Sequence, residues 1–258
     1  MSNSLKATVV DGVMEIVFAR PEKKNALNRE MYAAAIAALA EADGDPAVHA
    51  ILFAAEGDLF TAGNDMEDFV RASMGAQELG AVQFMEALAL TQKPIVAAVH
   101  GAAIGIGTTM LWHCDLIYIA EDAKLTAPFV RLGIVPEAAS SVLMPAHIGH
   151  AKSFAMFALG DGLTGKEAVA HGLANAALPA GQVAAAARKA CALLKTAPIG
   201  ALIAAKNLMR DRDALIARIR KEAVVLAERV KSPEAREIFN AFIARRQAGA
   251  ATPSARSA

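Results

Sequence analysis

Two glycine turns in this sequence have the composition of a backbone site for a negatively charged oxygen. Gly63 follows the apolar run 50–54, Gly105 follows the apolar run 95–99, and each precedes a segment of helical character. Glycine lets the backbone turn tightly and lets a ligand approach it closely. The first N–H groups of a helix have no partner inside it, and the helix dipole favours negative charge there. Two such turns could therefore aim two N–H groups at one carbonyl oxygen and stabilise charge that develops on it.

Packing between ordinary strands and helices is the alternative explanation for these glycines, and spacing alone does not separate the two. A nicotinamide dinucleotide site is disfavoured, because the third glycine of a Gly-x-Gly-x-x-Gly pattern that begins at Gly105 would fall at Met110. No Walker lysine follows either turn, and no Gly-x-Ser-x-Gly motif occurs. His147 and His150 lack an accompanying cluster of acids or cysteines, so we expect no metal site.

Charged residues near these turns have two explanations each. Lys23 and Lys24, with Arg20 nearby, could meet phosphate groups, although a solvated charged loop is the default interpretation. Asp65 and Asp68 fall in the predicted first turn of a helix, where the helix dipole favours acids.

Glu137 is the acid with the most unusual surroundings in the sequence. It lies between Pro136 and the run of small residues 138–141. In an apolar pocket its pKa would rise. Met66, Phe84 and Phe129 could supply such a pocket. A surface acid at the start of a helix is the alternative.

Composition excludes several classes of protein. The 258 residues include 55% hydrophobic residues and carry no formal net charge, so we expect a large core and neither a nucleic-acid partner nor an anionic membrane surface. The two cysteines give no disulfide framework, which favours a reducing compartment. Residues 1–6 lack an apolar signal core, and glycines and polar residues interrupt the least polar window, 95–112. We therefore expect a cytoplasmic protein without a membrane span.

The elements that must position these residues alternate between strands and helices in the first half of the chain. This alternation predicts an α/β fold with parallel strands, after an opening hairpin that turns at Asp11 and Gly12. Asn28 is expected to cap the first helix. The predicted strands cover residues 8–10, 13–18, 50–54, 95–99 and 114–120, and the predicted helices follow Asn28 and Met66, cover 83–90 and begin at Thr108.

Helices dominate the predicted second half, since strand signals fade from about Gly165. The predicted helices cover residues 166–172, 182–194, 200–209, 214–230 and 234–246. We divide the chain into a core (1–195), a C-terminal helical region (196–246) and a small, polar tail (247–258) that is expected to be disordered.

From residue 9 to 246 the sequence resembles the crotonase superfamily, the enoyl-CoA hydratase/isomerase family. The motifs that carry the resemblance are Arg20-Pro21-x-x-x-Asn25-Ala26-Leu27, Phe60-x-Ala62-Gly63-x-Asp65, Pro94-x-Val96-Ala97-x-Val99-x-Gly101-x-Ala103-x-Gly105-x-Gly107, Cys114-Asp115 and Leu163-Thr164-Gly165-x-x-Ala168-x-x-x-Gly172-Leu173.

This resemblance implies a fold, a ligand and a site. The fold would be a crotonase-like spiral of ββα units, followed by helices that form trimers, often paired into hexamers. The ligand would be an acyl-CoA thioester, and the N–H groups of Asn64 and Ile106 would form the oxyanion hole. The remaining substrate contacts would come from the loop at Lys23 and Ala26, which would lie along the CoA, and from Ala62, Gly63, Asp65, Met66, Gly105 and Phe129.

The acids indicate which reaction of the family to expect. A hydratase of this family uses two glutamates, and the corresponding positions here hold Thr109 and Phe129. Glu137 remains, within the pattern Thr126-x-Pro128-Phe129-x-x-Leu132-Gly133-x-x-Pro136-Glu137-x-x-Ser140-Ser141, which resembles the Δ3,Δ2-enoyl-CoA isomerase branch. In that branch the glutamate after the proline is the single catalytic base, and no metal or redox cofactor takes part.

Two alternatives to an isomerase stay open at this point. One is a hydratase, or another crotonase reaction on an unusual acyl group. The other is an acyl-CoA-binding protein with little catalysis. The resemblance also predicts an oligomer, either a homotrimer or a hexamer, and does not decide between these two oligomeric states.

Overall fold

The alternation of apolar strands and helices produces an α/β fold. The computed structural model describes residues 4–73 and 80–250. The strands of this described part are β1 (Leu5–Val10), β2 (Val13–Phe18), β3 (Ala50–Ala55), β4 (Ile95–Val99), β5 (Ala102–Ile104), β6 (Leu116–Ala120), β7 (Lys124–Thr126), β8 (Gly162–Thr164) and β9 (Ala176–Leu178). Its α-helices are α1 (Arg29–Gly44), α2 (Met66–Ser73), α3 (Ala81–Leu90), α4 (Ile106–Thr109), α5 (Ser140–Ile148), α6 (His150–Leu159), α7 (Gly165–Ala170), α8 (Ala180–Lys195), α9 (Ile199–Met209), α10 (Arg212–Arg229) and α11 (Pro233–Ala250).

A larger sheet has the strand order β1-β2-β3-β4-β6-β9. The predicted hairpin is confirmed, since β1 and β2 pair antiparallel and the turn residues Asp11 and Gly12 both have positive φ, 49° and 76°. The other neighbours in this sheet pair parallel, as the alternating pattern predicted. Every residue of β4 is buried, and α8 packs across β3, β4 and β6.

A smaller sheet, of order β5-β7-β8, gives the chain its repeating unit. Thr61, which follows β3, forms a parallel bridge to Ala103 of β5. The chain therefore repeats one unit three times: a strand of the larger sheet, a short segment paired in the smaller sheet, and a helix. The three units are β3, Thr61 and α2, then β4, β5 and α4, then β6, β7 and α5. This repetition confirms the predicted spiral of ββα units.

Helix α1 forms as its sequence predicted. The Asn28 side chain caps it by accepting a hydrogen bond from the Met31 N–H at 2.9 Å. Its buried face carries Met31, Ala35 and Leu39 at helical spacing. Tyr32 is also buried on this helix.

Two sequence-based expectations are corrected by the structure. Strands continue beyond residue 160, because β8 joins the smaller sheet and β9 pairs with β6 at the edge of the larger one. These strands have three residues each, too few to produce a periodic signal. The helix expected from Thr108 begins two residues earlier and continues as the 3-10 helix Met110–His113.

The C-terminal helices pack back onto the core. Helix α10 lies against α3, where Arg220 and Glu86 form an ion pair of 2.7 Å. Helix α11 packs against the 3-10 helix Val130–Leu132 and extends to Ala250. The last residues of this helix overlap the tail (247–258) that is expected to be disordered, and residues 251–258 lie outside the described residues, so the disorder of the tail stays a prediction.

Within the described ranges no single helix has the length and apolar character to cross a membrane. Helices α8 and α9 meet that test of length and composition only as a pair, across a bend of 111°.

Candidate active site

The two glycine turns lie side by side. The Thr61 N–H donates to the Ala102 carbonyl at 3.1 Å, and the Ile104 N–H donates to the Thr61 carbonyl at 3.0 Å. Asn64 and Ile106 each follow the Thr61–Ala103 bridge by the same number of residues. Parallel pairing therefore brings the two N–H groups to equivalent points on neighbouring turns.

Close backbone approach explains the glycines of these turns. At Gly63, where φ is 87°, a Cβ atom would lie 2.7 Å from the Ile104 carbonyl oxygen. At Gly107 it would lie 2.3 Å from the Thr61 Cγ2. Gly105 differs, since its combination of φ 58° and ψ −120° requires glycine while the space beside it is open. The packing explanation therefore holds for Gly63 and Gly107, and Gly105 leaves room for a ligand.

Both predicted oxyanion-hole donors are free. Within the described part of the chain, neither the Asn64 N–H nor the Ile106 N–H donates a hydrogen bond. Ile106 is the first residue of α4, where a backbone N–H has no partner inside the helix. Two free backbone donors on adjacent turns form an arrangement that can hold an anionic oxygen.

Glu137 is buried, so its interpretation as a surface acid at a helix start is wrong. Only 4% of the residue is exposed, and α5 begins three residues later, at Ser140. Its Oε1 has no hydrogen-bond partner. Burial raises the pKa of Glu137 to about 8, the negative charge of Glu222 adds to the rise, and a hydrogen bond from the Thr109 hydroxyl opposes it.

The acid and the two turns converge on one place. Thr109 belongs to α4, the helix that Ile106 begins, and its hydroxyl acts to lower the pKa of Glu137. On the other side, the Tyr32 hydroxyl donates to the Asn64 Oδ1 at 2.5 Å. Burial raises the pKa of Tyr32 well above its usual value, and the negative charge of Glu137 contributes to the rise.

Sequence reasoning missed Tyr32, because nothing in the α1 pattern distinguishes it from a core residue. It is fully buried, and its ring centroid lies 5.4 Å from that of Phe84. Phe84, expected as a pocket residue, packs in the core between Tyr32 and Phe53.

The segment after Glu137 is held in an unusual conformation. Ala138 and Ala139 have φ values of 60° and 56°, in the left-handed region that alanine disfavours. The His113 Nε2 donates to the Ala138 carbonyl at 2.8 Å. Burial lowers the pKa of His113 to about 4, so the imidazole is neutral and acts as a fixed donor.

The predicted substrate loop lies along the first glycine turn. The Ala62 N–H donates to the Lys24 carbonyl at 2.9 Å, and the Leu27 N–H donates to the Gly63 carbonyl at 2.8 Å. Lys23 is exposed in the 3-10 helix Pro21–Lys23, so its ammonium is accessible to a ligand. Lys24 instead pairs with Asp58 at 2.6 Å.

Asp65 and Ala26 stabilise this loop through Arg20. The Arg20 Nη1 lies 2.7 Å from the Asp65 Oδ2 and 3.0 Å from the Ala26 carbonyl oxygen. Burial alone would raise the pKa of Asp65, but hydrogen bonds from Arg20 and from the Glu67 N–H lower it. Asp65 therefore holds the loop against the turn, and its carboxylate is already occupied.

The two positions at which a hydratase would carry its acids are both placed in the core. Thr109 is buried, and its hydroxyl donates to the Ile106 carbonyl at 3.5 Å. Phe129 is 4% exposed, and its ring centroid lies 5.9 Å from that of Phe157. Met66, the first residue of α2, is half-buried just beyond Asn64.

A cavity of about 610 Å³ lies elsewhere, between the 3-10 helix Met110–His113 and the C-terminal helices. Three of its charged lining residues pair with one another, since Lys206 and Arg210 contact Asp115 at 2.8 and 3.4 Å. Neither Glu137 nor Asn64 lines it. Among the described residues, no group of three or more His, Cys, Asp or Glu side chains is arranged to hold a metal ion.

The fold and the site together define a class of protein. A ββα spiral that presents two free backbone donors beside a buried carboxyl is built to stabilise an oxyanion next to a proton-transfer group. Residues 8–250 match the family model "Enoyl-CoA hydratase/isomerase", and the chain belongs to this family, a part of the crotonase superfamily.

Individual relatives carry different activity names. The chain is similar to "Enoyl-CoA delta isomerase 2" of Rattus norvegicus, with 38% identity over 184 residues that cover 69% of this chain and 47% of the relative. It is also similar to "Enoyl-CoA hydratase ACTT3" of Alternaria alternata, with 35% identity over 63% of this chain and 56% of the relative. The chain spans about half the length of the curated relatives it matches.

The similarity to solved structures extends over nearly the whole chain. The structure of Pseudomonas aeruginosa OdaA superposes with a TM-score of 0.89 at 39% identity, covering 94% of this chain and 99% of that one. The overall fold of the family is therefore present, and the residues of the site must distinguish between its reactions.

Proposed function

We propose that this protein is a Δ3,Δ2-enoyl-CoA isomerase, which moves a double bond of an enoyl-CoA thioester from C3 to C2. The observation that carries the proposal is Glu137, a buried carboxyl with a pKa of about 8 and an Oε1 without a hydrogen-bond partner, together with two free backbone donors on adjacent turns. Thr109 and Phe129 stand where a hydratase would carry its two acids. One acid is sufficient for a proton shift, whereas hydration also requires an activated water.

The reaction uses one carboxyl twice. The Glu137 carboxylate removes a proton from C2 of the 3-enoyl thioester, and the electron pair of that C–H bond forms a dienolate. The Asn64 and Ile106 N–H groups stabilise the negative charge on the thioester oxygen. The neutral Glu137 carboxyl then returns the proton to C4, the double bond lies between C2 and C3, and the carboxylate is regenerated.

The remaining predicted residues bind the substrate or shape its site. The exposed Lys23 meets phosphate oxygens of the CoA, and Ala26 and Ala62 border the pantetheine arm. Gly63 and Gly105 keep the two turns close to the thioester, while Met66 and Phe129 give the acyl chain an apolar surface. Asp65 acts indirectly, through its ion pair with Arg20.

The proposed enzyme also has an expected cofactor requirement, cellular location and oligomeric state. The proton shift needs no metal or redox cofactor, since coenzyme A is part of the substrate. We place the enzyme in the cytoplasm and expect a homotrimer or hexamer. The side chains of Leu208 and Met209 on α9, which are 90% and 84% exposed in the single chain, support an assembly that covers them.

The Glu137→Gln variant tests the proposal. We expect isomerisation of trans-3-hexenoyl-CoA to fall by at least about a hundredfold, because the amide cannot accept the proton. Binding of the CoA thioester, measured by calorimetry, should persist. Glu237→Gln, which alters an exposed acid of α11, is the matched control and should keep the wild-type rate. A Glu137→Gln enzyme that retains most of its rate would show that Glu137 is not the base.

A hydratase is the second candidate, because the Alternaria alternata relative carries that name. Hydration of a 2-enoyl-CoA should be measured on the same preparation. Hydration without isomerisation would favour this candidate. Thioester binding without either activity would favour an acyl-CoA-binding protein.

A further inference from the structure

The backbone that follows Glu137 is held in place by a second buried glutamate from the C-terminal region. The Glu222 carboxylate, on α10, accepts hydrogen bonds from the Ala139 N–H at 2.7 Å and from the Ser141 N–H at 3.1 Å. It also accepts one from the Ser141 hydroxyl. Glu222 is only 6% exposed, so these bonds form away from solvent.

These contacts fix a turn that alanine would not adopt without support. Ala138 and Ala139 are both left-handed, and such conformations persist where the surroundings determine them. Glu222 takes the donors on one side of the turn, while the His113 Nε2 donates to the Ala138 carbonyl on the other. The direction of the Glu137 side chain depends on this turn, because Glu137 immediately precedes it.

The two glutamates also interact through their charges. Burial and then Glu222 raise the pKa of Glu137. Burial raises the pKa of Glu222 as well, but its three donors and Arg218 on the same helix favour its ionised form. Because the Glu137 Oε1 has no donor, Glu222 holds the negative charge and Glu137 takes the proton. The other groups that face Glu137 are the Tyr32 phenol from α1 and the Thr109 hydroxyl from α4.

We propose that Glu222 is a positioning residue for Glu137: it holds the left-handed turn that aims the catalytic carboxyl, and its negative charge keeps that carboxyl a strong proton acceptor. This inference rests on the proposed function, in which Glu137 is the base. It gives α10 a part in catalysis in addition to its packing against α3.

Two substitutions separate the geometric effect from the charge effect. Glu222→Gln keeps the length of the side chain and removes the charge. Glu222→Asp keeps the charge and shortens the reach to the turn. Glu228→Gln is the matched control, because it removes an exposed acid from the same helix.

The first readout is isomerase kinetics across pH. For Glu222→Gln we expect kcat to fall by about tenfold to a hundredfold with little change in KM, because the base is displaced and the substrate contacts are not. The acid limb of kcat/KM should move to lower pH by about one pH unit, since the neighbouring negative charge is gone. Glu222→Asp should lower kcat and leave the acid limb in place.

The second readout does not require turnover. Infrared difference spectra, recorded during a pH titration, follow the carboxyl band that is missing in Glu137→Gln. We expect this band to titrate at lower pH in Glu222→Gln and at the wild-type pH in Glu228→Gln. If the wild-type protein does not isomerise, the proposed function fails, while this titration still tests the link between the two glutamates.

One pattern of results would overturn the positioning role of Glu222. If Glu222→Gln lowers the melting temperature but leaves kcat, the acid limb and the carboxyl titration unchanged, Glu222 only docks α10 and the proposal is wrong. If Glu222→Gln does not fold, Glu222→Asp decides: a wild-type kcat in that variant would also overturn the proposal.

Discussion

At the scale of single residues, the acids near the site have different surroundings and therefore different pKa values. Asp65 has an arginine partner and a backbone donor, and its pKa is lowered. Glu137 has a hydroxyl on one side and nothing at its Oε1, and its pKa is raised to about 8. A carboxyl in the second environment can release and recover a proton near neutral pH, whereas one in the first stays ionised.

The raised pKa of Glu137 predicts the pH dependence of the reaction. Glu137 must be ionised to accept the C2 proton, and it becomes protonated as the pH falls below about 8. We therefore expect kcat/KM to reach a plateau above that pH and to fall about tenfold for each pH unit well below it. Stopped assays between pH 5.5 and 9, with enzyme-free blanks, measure the profile. A flat profile across this range would contradict the assignment.

Tyr32 offers a second test at this scale. Its hydroxyl bonds the Asn64 Oδ1 and faces Glu137, so it fixes the residue that supplies one oxyanion-hole donor. We expect Tyr32→Phe to lower kcat by about tenfold and to leave KM nearly unchanged. Steady-state kinetics check this, with thermal unfolding as the control for folding. An unchanged kcat would limit Tyr32 to a role in packing.

At the scale of elements, the glycine turns depend on space as well as on φ. Gly63→Ala would place a Cβ 2.7 Å from the Ile104 carbonyl and push the turns apart. We expect a rate loss of about a hundredfold or more, because one oxyanion donor is displaced. Gly172→Ala is the matched control, since Gly172 has a similar φ of 74° but open space for a Cβ.

The comparison of these two variants isolates the clash. Both lose the freedom of glycine at positive φ, which costs about 1 kcal/mol or more of stability. Only Gly63→Ala should lose activity beyond that shared effect, as measured by isomerase assays on folded protein. Equal activities would mean that the spacing of the turns does not matter to the reaction.

Much of the fold, and part of the site, could be predicted from the sequence because their signals are local. The Asp11-Gly12 hairpin, the Asn28 cap and the buried run of β4 each follow from a few neighbouring residues. The strands β5, β7, β8 and β9 were missed because three-residue strands are defined by their distant partners.

The site residues show the same difference between local motifs and distant contacts. Asn64, Ile106 and Glu137 lie within motifs and were predicted. Tyr32 and Glu222 were not, because their roles come from tertiary contacts with residues far away in the chain.

At the scale of the whole molecule, α9 presents apolar side chains that the single chain leaves exposed. Leu208 and Met209 are 90% and 84% exposed, whereas most large apolar side chains of the described core are buried. We expect a homotrimer or hexamer, with a mass three or six times the 26.8 kDa of the chain. Light scattering coupled to gel filtration measures it.

Charges at these positions should weaken the assembly. The double variant Leu208→Glu and Met209→Glu should elute at a smaller mass, because carboxylates are costly to bury in an apolar interface. Gln182→Glu, at an exposed position of α8, is the control for added charge and should keep the wild-type mass. A wild-type protein that runs as a monomer would contradict the predicted assembly.

The central claim is that Glu137 alone moves a proton beside the oxyanion hole, without an acid that activates water. The most direct measurement is the wild-type rate on trans-3-hexenoyl-CoA, compared with the rate of 2-hexenoyl-CoA hydration by the same preparation. We predict rapid isomerisation and negligible hydration. Hydration without isomerisation would contradict the account, because water would then be activated at a site where Thr109 and Phe129 provide no base.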